Sequence, residues 1–190
     1  MASSSMQKGT SSSYSAPQWM YDVFLSFRGK DTRNNFTSHL YSNLEQRGIE
    51  VYMDDSGLER GKTIEPALWQ AIEDSRFSIV VFSRDYASSP WCLDELVKIV
   101  QCMKEMGHTV LPVFYDVDPS EVADQKGNYK KAFIEHKEKL SENLDRVKCW
   151  SDCLSTVANL SGWDVRNRYT KPLYIYFGWS YYCLTNSYFY

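Results

Sequence analysis

Two carboxylates stand at the start of one predicted helix, in the stretch SSPWCLDELVKIV from Ser88 to Val100. Ser89 can cap that helix, Pro90 suits a first position that needs no amide donor, and Leu93, Leu96, Val97 and Val100 form an apolar stripe. Asp94 and Glu95 interrupt it. Glu95 follows Trp91 by four positions, so acid and indole share a side of the helix. A carboxylate there can be an acid stabilised by the helix N-terminus, or a group held for chemistry at a site. Spacing leaves both open, as it leaves Trp91 open between core and stacking surface.

Other chemistry-bearing side chains are fewer. Cys92, near the same helix start, could be an activated thiol, but no histidine lies near it in sequence, and a small buried residue is the commoner fate of free cysteine. His39, His108 and His136 are scattered without metal-ligand spacing, so no metal site is expected. Arg28, Lys30 and Arg33 cluster in RGKDTRNN, either a solvated loop or an anion site. No G-x-G-x-x-G follows the first apolar run and no phosphate-binding G-x-x-x-x-G-K-[ST] occurs, which argues against dinucleotide-dependent hydride transfer and P-loop hydrolysis. A phosphoacceptor receiver would need an acidic pair after its first strand and an aspartate closing its third; Arg28 and Ser83 stand there instead.

The elements that must carry these residues alternate. YDVFLSF (21–27), IEVYMD (49–54), FSIVVFS (77–83) and TVLPVFY (109–115) read as strands, and SGWDV can add a short fifth. Between them lie helical patterns: NFTSHLYSNLEQRG closed by Gly48, EPALWQAIEDS, the run from Pro90 to Gly107, NYKKAFIEHKEKL, and NLDRVKCWSDCLSTVANLSGW with Val147, Trp150, Leu154 and Val157 on one face. Strand and helix in alternation predict a parallel sheet flanked by helices. Ligands of such sheets bind beyond the carboxyl ends of the strands, where RGKDTRNN, DDSGLERGKT, RDYASSPW and DVDPSEVADQKG fall. Glu95 lies just past the third.

The chain's 190 residues, 43% hydrophobic and 15% aromatic, suit one domain with tails. A net charge of -3 and a pI near 5.6 disfavour general nucleic-acid or anionic-lipid binding. Five cysteines without C-x-x-C spacing fit a reducing compartment. The serine-rich residues 1–18 read as a disordered leader, neither signal nor anchor. The aromatic residues 169–190 are too interrupted by polar residues to span a bilayer.

YDVFLSFRGKDTR, FTSHLY, IVVFSRDYASSPWCLDELVKI, VLPVFYDVDPSEV and VANLSGWD, in that order, resemble a plant Toll/interleukin receptor (TIR) domain of the disease-resistance type over residues 19–168. The resemblance implies a flavodoxin-like five-stranded parallel sheet and an NAD⁺ glycohydrolase, or ADP-ribosyl cyclase, of plant innate immune signalling that works when self-associated. NAD⁺ would be substrate, with no cofactor. It implies Glu95 as the catalytic residue, Arg28, Ser89 and Trp91 as substrate contacts, and Ser38 and His39 as a self-association surface, with rearrangement of the loop 54–64. Partners would be other TIR proteins and the location cytoplasmic, with the nucleus as a second site. A non-catalytic TIR adaptor is the rival reading. Lys30 departs from the acidic residue usual at its position, DDSGLERG is slightly long, and EVADQKGNYKKAF lacks the arginine common after the D-P-S-x-V match. The resemblance ends near Arg168, so a TIR-only form is expected.

Overall fold

A computed structural model describes residues 19–53 and 66–166. The leader, the loop 54–64 and the segment 169–190 discussed above lie outside the described residues. Five strands, β1 (Tyr21–Phe27), β2 (Val51–Met53), β3 (Ser75–Phe82), β4 (Thr109–Phe114) and β5 (Trp163–Asp164), form one sheet in the order β2-β1-β3-β4-β5, every pairing parallel. The fifth strand, expected only as short, is two residues long. It approaches β4 so closely that a Cβ on Gly162 would sit 2.4 Å from the Pro112 carbonyl oxygen, so glycine is required there.

Helices α1 (Gly29–Thr32), α2 (Ser38–Glu45), α3 (Pro66–Glu73), α4 (Pro90–Glu105), α5 (Pro119–Ala123), α6 (Gly127–Lys139) and α7 (Leu144–Ala158) connect and cover the strands. Two stretches expected as loops are partly helical. RGKDTRNN folds into α1 and runs through a π-turn at 33–37 into α2; DVDPSEVADQKG contains α5, capped by Asp118 with Pro119 at its first position. Short helices of this kind lack the apolar periodicity by which longer ones are read.

Alternation along β1 divides the core. Phe24 faces a cluster containing Leu68 and Ile72 of α3, Leu93, Leu96 and Ile99 of α4, and Trp150, Leu154 and Val157 of α7; Val23, Leu25 and Phe27 face Leu40 and Leu44 of α2. Ser26 shares the parity of Phe24, so its hydroxyl points toward the α4 side. The strand order turns between β1 and β3, and a crevice at that switch point is where the fold admits ligands.

Asp118 accepts from the Ser120 backbone N–H at 2.8 Å and the Ser120 hydroxyl at 2.7 Å, and pairs with Arg166 beyond β5. The Ser120 hydroxyl, its amide and then Arg166 hold the Asp118 carboxyl down at about 2. A carboxyl lowered on folding stabilises the fold above its unfolded value of about 3.9, and that contribution is lost as pH falls toward about 2. The melting-temperature gap between wild type and Asp118→Asn is therefore expected to be steady above roughly pH 5 and to shrink between about pH 4 and 2; a gap independent of pH would contradict the assignment.

Candidate active site at the sheet switch point

The site assembles from the ends of β1 and β3 and the first turns of α4. Ser89 caps α4, its side-chain oxygen accepting from the Cys92 N–H at 3.4 Å, with Pro90 at the first position, as the sequence predicts. Leu93, Leu96 and Val100 enter the core while Val97 is half-buried. Glu95 is 4% exposed. Charged carboxylates are rarely buried without hydrogen-bond donors, and Glu95 has one in Ser26, whose hydroxyl lies 2.8 Å from Oε2. Ser26 Oγ is in turn 2.9 Å from the hydroxyl of Tyr86, which also donates to the Cys92 carbonyl at 3.0 Å.

Burial first, then the neighbouring Cys92 and Glu95, raise the Tyr86 phenol well above its usual range, so it stays protonated. The Cys92 thiol donates to the Phe27 carbonyl at 3.7 Å; burial, followed by the Glu95 charge, drives it far above the usual thiol range. A thiol so placed is no nucleophile, so Cys92 takes the packing role. Cys102 and Cys153 are also buried and shifted upward by desolvation, Cys153 to about 12, while Cys149 is exposed. A short maleimide pulse on native protein is expected to modify Cys149 first of these four, by peptide mass mapping; equal labelling of Cys92 would contradict the closed start of α4.

Arg28, just past β1, is half-buried and pairs through Nη1 with Asp31 Oδ1, while Asp31 Oδ2 accepts from the hydroxyl of Ser83 at the end of β3. Tyr129 of α6 donates to the Ser83 carbonyl at 2.8 Å. Asp31 thus links Arg28, just past β1, to Ser83 at the end of β3. Trp91 is partly buried and packs on the core, so the indole is at once a core contact and a partly open surface.

The sequence's two helix acids separate cleanly. Asp94 accepts from Trp150 Nε1 at 2.9 Å and from Arg146 through Nε and Nη2, so it fastens α4 to α7; Glu95 turns to β1. Ser38 and His39 lie away from this cluster, at the start of α2. The Ser38 hydroxyl donates to the Arg33 carbonyl of the π-turn, and His39 is exposed. His108 and His136 are both buried, His136 with Nε2 2.8 Å from the Ala87 carbonyl. Among the described residues no group of three or more metal-ligating side chains gathers, and no helix is long and apolar enough to cross a membrane.

Ser26, Asp31 and Tyr86 are site residues that pattern reading missed. For Ser26 a signal existed, since a hydroxyl in the middle of an otherwise apolar strand must find a partner inside the fold. Asp31 and Tyr86 carried none.

With this geometry in view, comparison with known proteins is decisive: the TIR domain family matches residues 20–175. The chain belongs to the TIR family. This TIR domain is 53% identical over 151 residues to TMV resistance protein N of Nicotiana glutinosa, covering 80% of this chain and 13% of that protein. It is 53% identical over 168 residues to disease resistance protein RPV1 of Vitis rotundifolia, covering 87% and 12% respectively. The chain therefore spans 12 to 13% of the length of these curated relatives. Among solved structures, the TIR domain of the activated Roq1 resistosome that directly recognizes the pathogen effector XopQ aligns with a TM-score of 0.77 at 47% identity, over 86% of this chain and 98% of that one. The TIR domain of the Toll-related receptor TRR-2 of Hydra magnipapillata shares the fold, at a TM-score of 0.52 and 18% identity over 88% of this chain and 100% of that one.

Proposed function

We propose that this TIR domain cleaves NAD⁺ at the nicotinamide–ribose bond, with Glu95 as the catalytic residue. The observation that carries the reading is a carboxylate 4% exposed in the first turns of α4, tied to β1 at the switch point by the Ser26 hydroxyl. A buried carboxylate with this placement contributes little that an apolar residue could not contribute to packing, whereas it suits a reaction that develops positive charge.

Glycoside hydrolysis ordinarily needs two carboxylates because the departing oxygen must be protonated. Nicotinamide departs from a pyridinium cation as a neutral molecule, so no acid is needed. One anion, fixed in a low-dielectric setting, can bind a ribose hydroxyl and offset the oxocarbenium charge as it grows. Arg28 supplies donors for the dinucleotide's phosphates; Asp31 uses one arm of a guanidinium that has five N–H groups. The Ser89 oxygen is occupied by its cap, which leaves the O–H to donate, and Trp91 offers an indole face beside the acid. NAD⁺ is the substrate in this scheme and no cofactor takes part.

Self-association through the surface that includes Ser38 and His39 is part of the proposal, supported by the assembled Roq1 resistosome and by the exposure of His39. The disease-resistance relatives support a place in plant immune signalling inside the cell, with other TIR proteins as partners. Hydrolysis gives ADP-ribose and internal capture gives a cyclic product.

The test is incubation of purified protein with NAD⁺ over a range of protein concentrations, with nicotinamide and ADP-ribosyl products followed by mass. Nicotinamide release that rises more steeply than protein concentration supports the reading. No turnover even when assembly is forced, together with co-purification of a second TIR protein, would establish a non-catalytic adaptor instead, a reading favoured by the same exposed start of α2.

A further inference from the structure

We propose that Ser26 and Tyr86 are positioning residues for Glu95: a buried chain of two hydroxyls fixes its Oε2 and so sets the plane in which the carboxylate meets the substrate ribose. This rests on the reading of Glu95 as the catalytic residue.

The direction of the chain follows from proton counting. A carboxylate only accepts, so the Ser26 proton goes to Oε2 at 2.8 Å, and Ser26 Oγ is left to accept. Tyr86 lies 2.9 Å from it, and burial keeps the phenol protonated, so its single proton is shared between Ser26 Oγ and the Cys92 carbonyl. The Cys92 carbonyl, 3.0 Å from the same phenol, holds the ring oxygen over the first turn of α4. Ser26 and Tyr86 are 0% exposed, so water does not compete for these bonds.

Nothing in the packing calls for either hydroxyl. Ser26 pairs in register with Val80 of β3 and follows Leu25 in a strand where an apolar residue would satisfy the core, and a buried hydroxyl is costly unless bonded. Tyr86 packs edge-on against Phe82 at 5.1 Å, a contact that phenylalanine would keep. Together the two hydroxyls join three elements at the switch point: β1, the short turn of Tyr86–Ser88 after β3, and α4. A carboxylate supported from three rigid elements keeps its orientation when substrate arrives, which preorganised electrostatic catalysis requires.

The experiment compares Ser26→Ala and Tyr86→Phe, each alone and on a Glu95→Ala background, in the full chain at a concentration where nicotinamide release is measurable. Ser26→Ala is expected to lower kcat about 10-fold and Tyr86→Phe about 3-fold, with KM for NAD⁺ changed by less than about 2-fold, because a bond to a charged group is lost in one case and its support in the other. Neither should lower the residual rate of Glu95→Ala, since both act through that side chain. An unchanged kcat in Ser26→Ala, or equal losses with and without Glu95, would overturn the proposal.

Thermal melting of the same set supplies a readout independent of turnover. The drop for Ser26→Ala with Glu95→Ala should be smaller than the sum of the two single drops, because the pair shares one bond. Absence of wild-type turnover would defeat the catalytic reading of Glu95 and leave this melting cycle to decide the contact; additive drops would reject it. Tyr86→Phe, which keeps the ring, serves if Ser26→Ala does not fold.

Discussion

Glu95→Ala is expected to lower the rate of nicotinamide release by about 10²- to 10³-fold, the usual cost of removing one preorganised electrostatic group from an active site. The effect should fall on kcat, because the carboxylate matters most once the ribose carries charge and little when the neutral sugar binds. Alanine removes both the charge and the partner of Ser26, so a second variant separates the two. Glu95→Gln keeps the shape and can still accept from Ser26, yet it has no charge to offer the oxocarbenium. If the anion is the catalytic element, glutamine should lose nearly as much rate as alanine while melting closer to wild type. The measurement is single-turnover nicotinamide release with melting curves on the same preparations. Retention of more than about a third of the wild-type rate in Glu95→Gln would sink the electrostatic account, since an uncharged amide cannot supply that stabilisation.

Much of the fold was legible because its longer elements keep their periods. The four principal strands, the α4 cap at Ser89 and the apolar face of α7 follow from side-chain spacing alone, though β3 starts two residues earlier than expected, at Ser75, and β2 two later, at Val51. The failures share a cause: α1, α5 and the π-turn are four or five residues long, too short for an amphipathic period to declare itself. The site was half legible. Arg28 and Glu95 stand at strand and helix ends, where charged residues attract notice. Ser26, Asp31 and Tyr86 reach the site by tertiary contacts across |i−j| separations of 69, 52 and 60 in their hydrogen bonds, which no local pattern encodes. The adjacent acids show the limit most directly. Asp94 and Glu95 are neighbours of the same chemical type, and only the packing of β1 and α7 against different faces of α4 makes one a candidate catalyst and the other a fastening.

That fastening carries the second large expectation. Trp150→Ala should destabilise the domain by about 3–5 kcal/mol, the range for removing a fully buried tryptophan. The indole is 0% exposed and meets the His136 ring edge-on at 5.1 Å; Arg146 lies over it, 4.9 Å from the ring centre, and Nε1–H donates to Asp94 at 2.9 Å. Alanine therefore leaves a cavity between α7, α6 and the core, and also strips Asp94 of its least exposed donor, leaving Arg146, whose side chain is 42% exposed. At about 2–4 °C per kcal/mol for a domain of this size, the melting temperature should fall by on the order of 10 °C. Trp150→Phe divides the effect: it refills most of the cavity but has no N–H, so its cost should approach that of one hydrogen bond to a charged acceptor, about 1.5–3 kcal/mol. Urea titrations of the three proteins give the values, and equal losses for alanine and phenylalanine would mean that the Asp94 bond, and not the filled volume, holds α7 in place. Because Asp94 immediately precedes Glu95 on α4, the phenylalanine variant also tests whether the fastening reaches the site: with α4 still seated on β1 through Glu95 and Ser26, its kcat for nicotinamide release should stay within about 3-fold of wild type even as its stability drops.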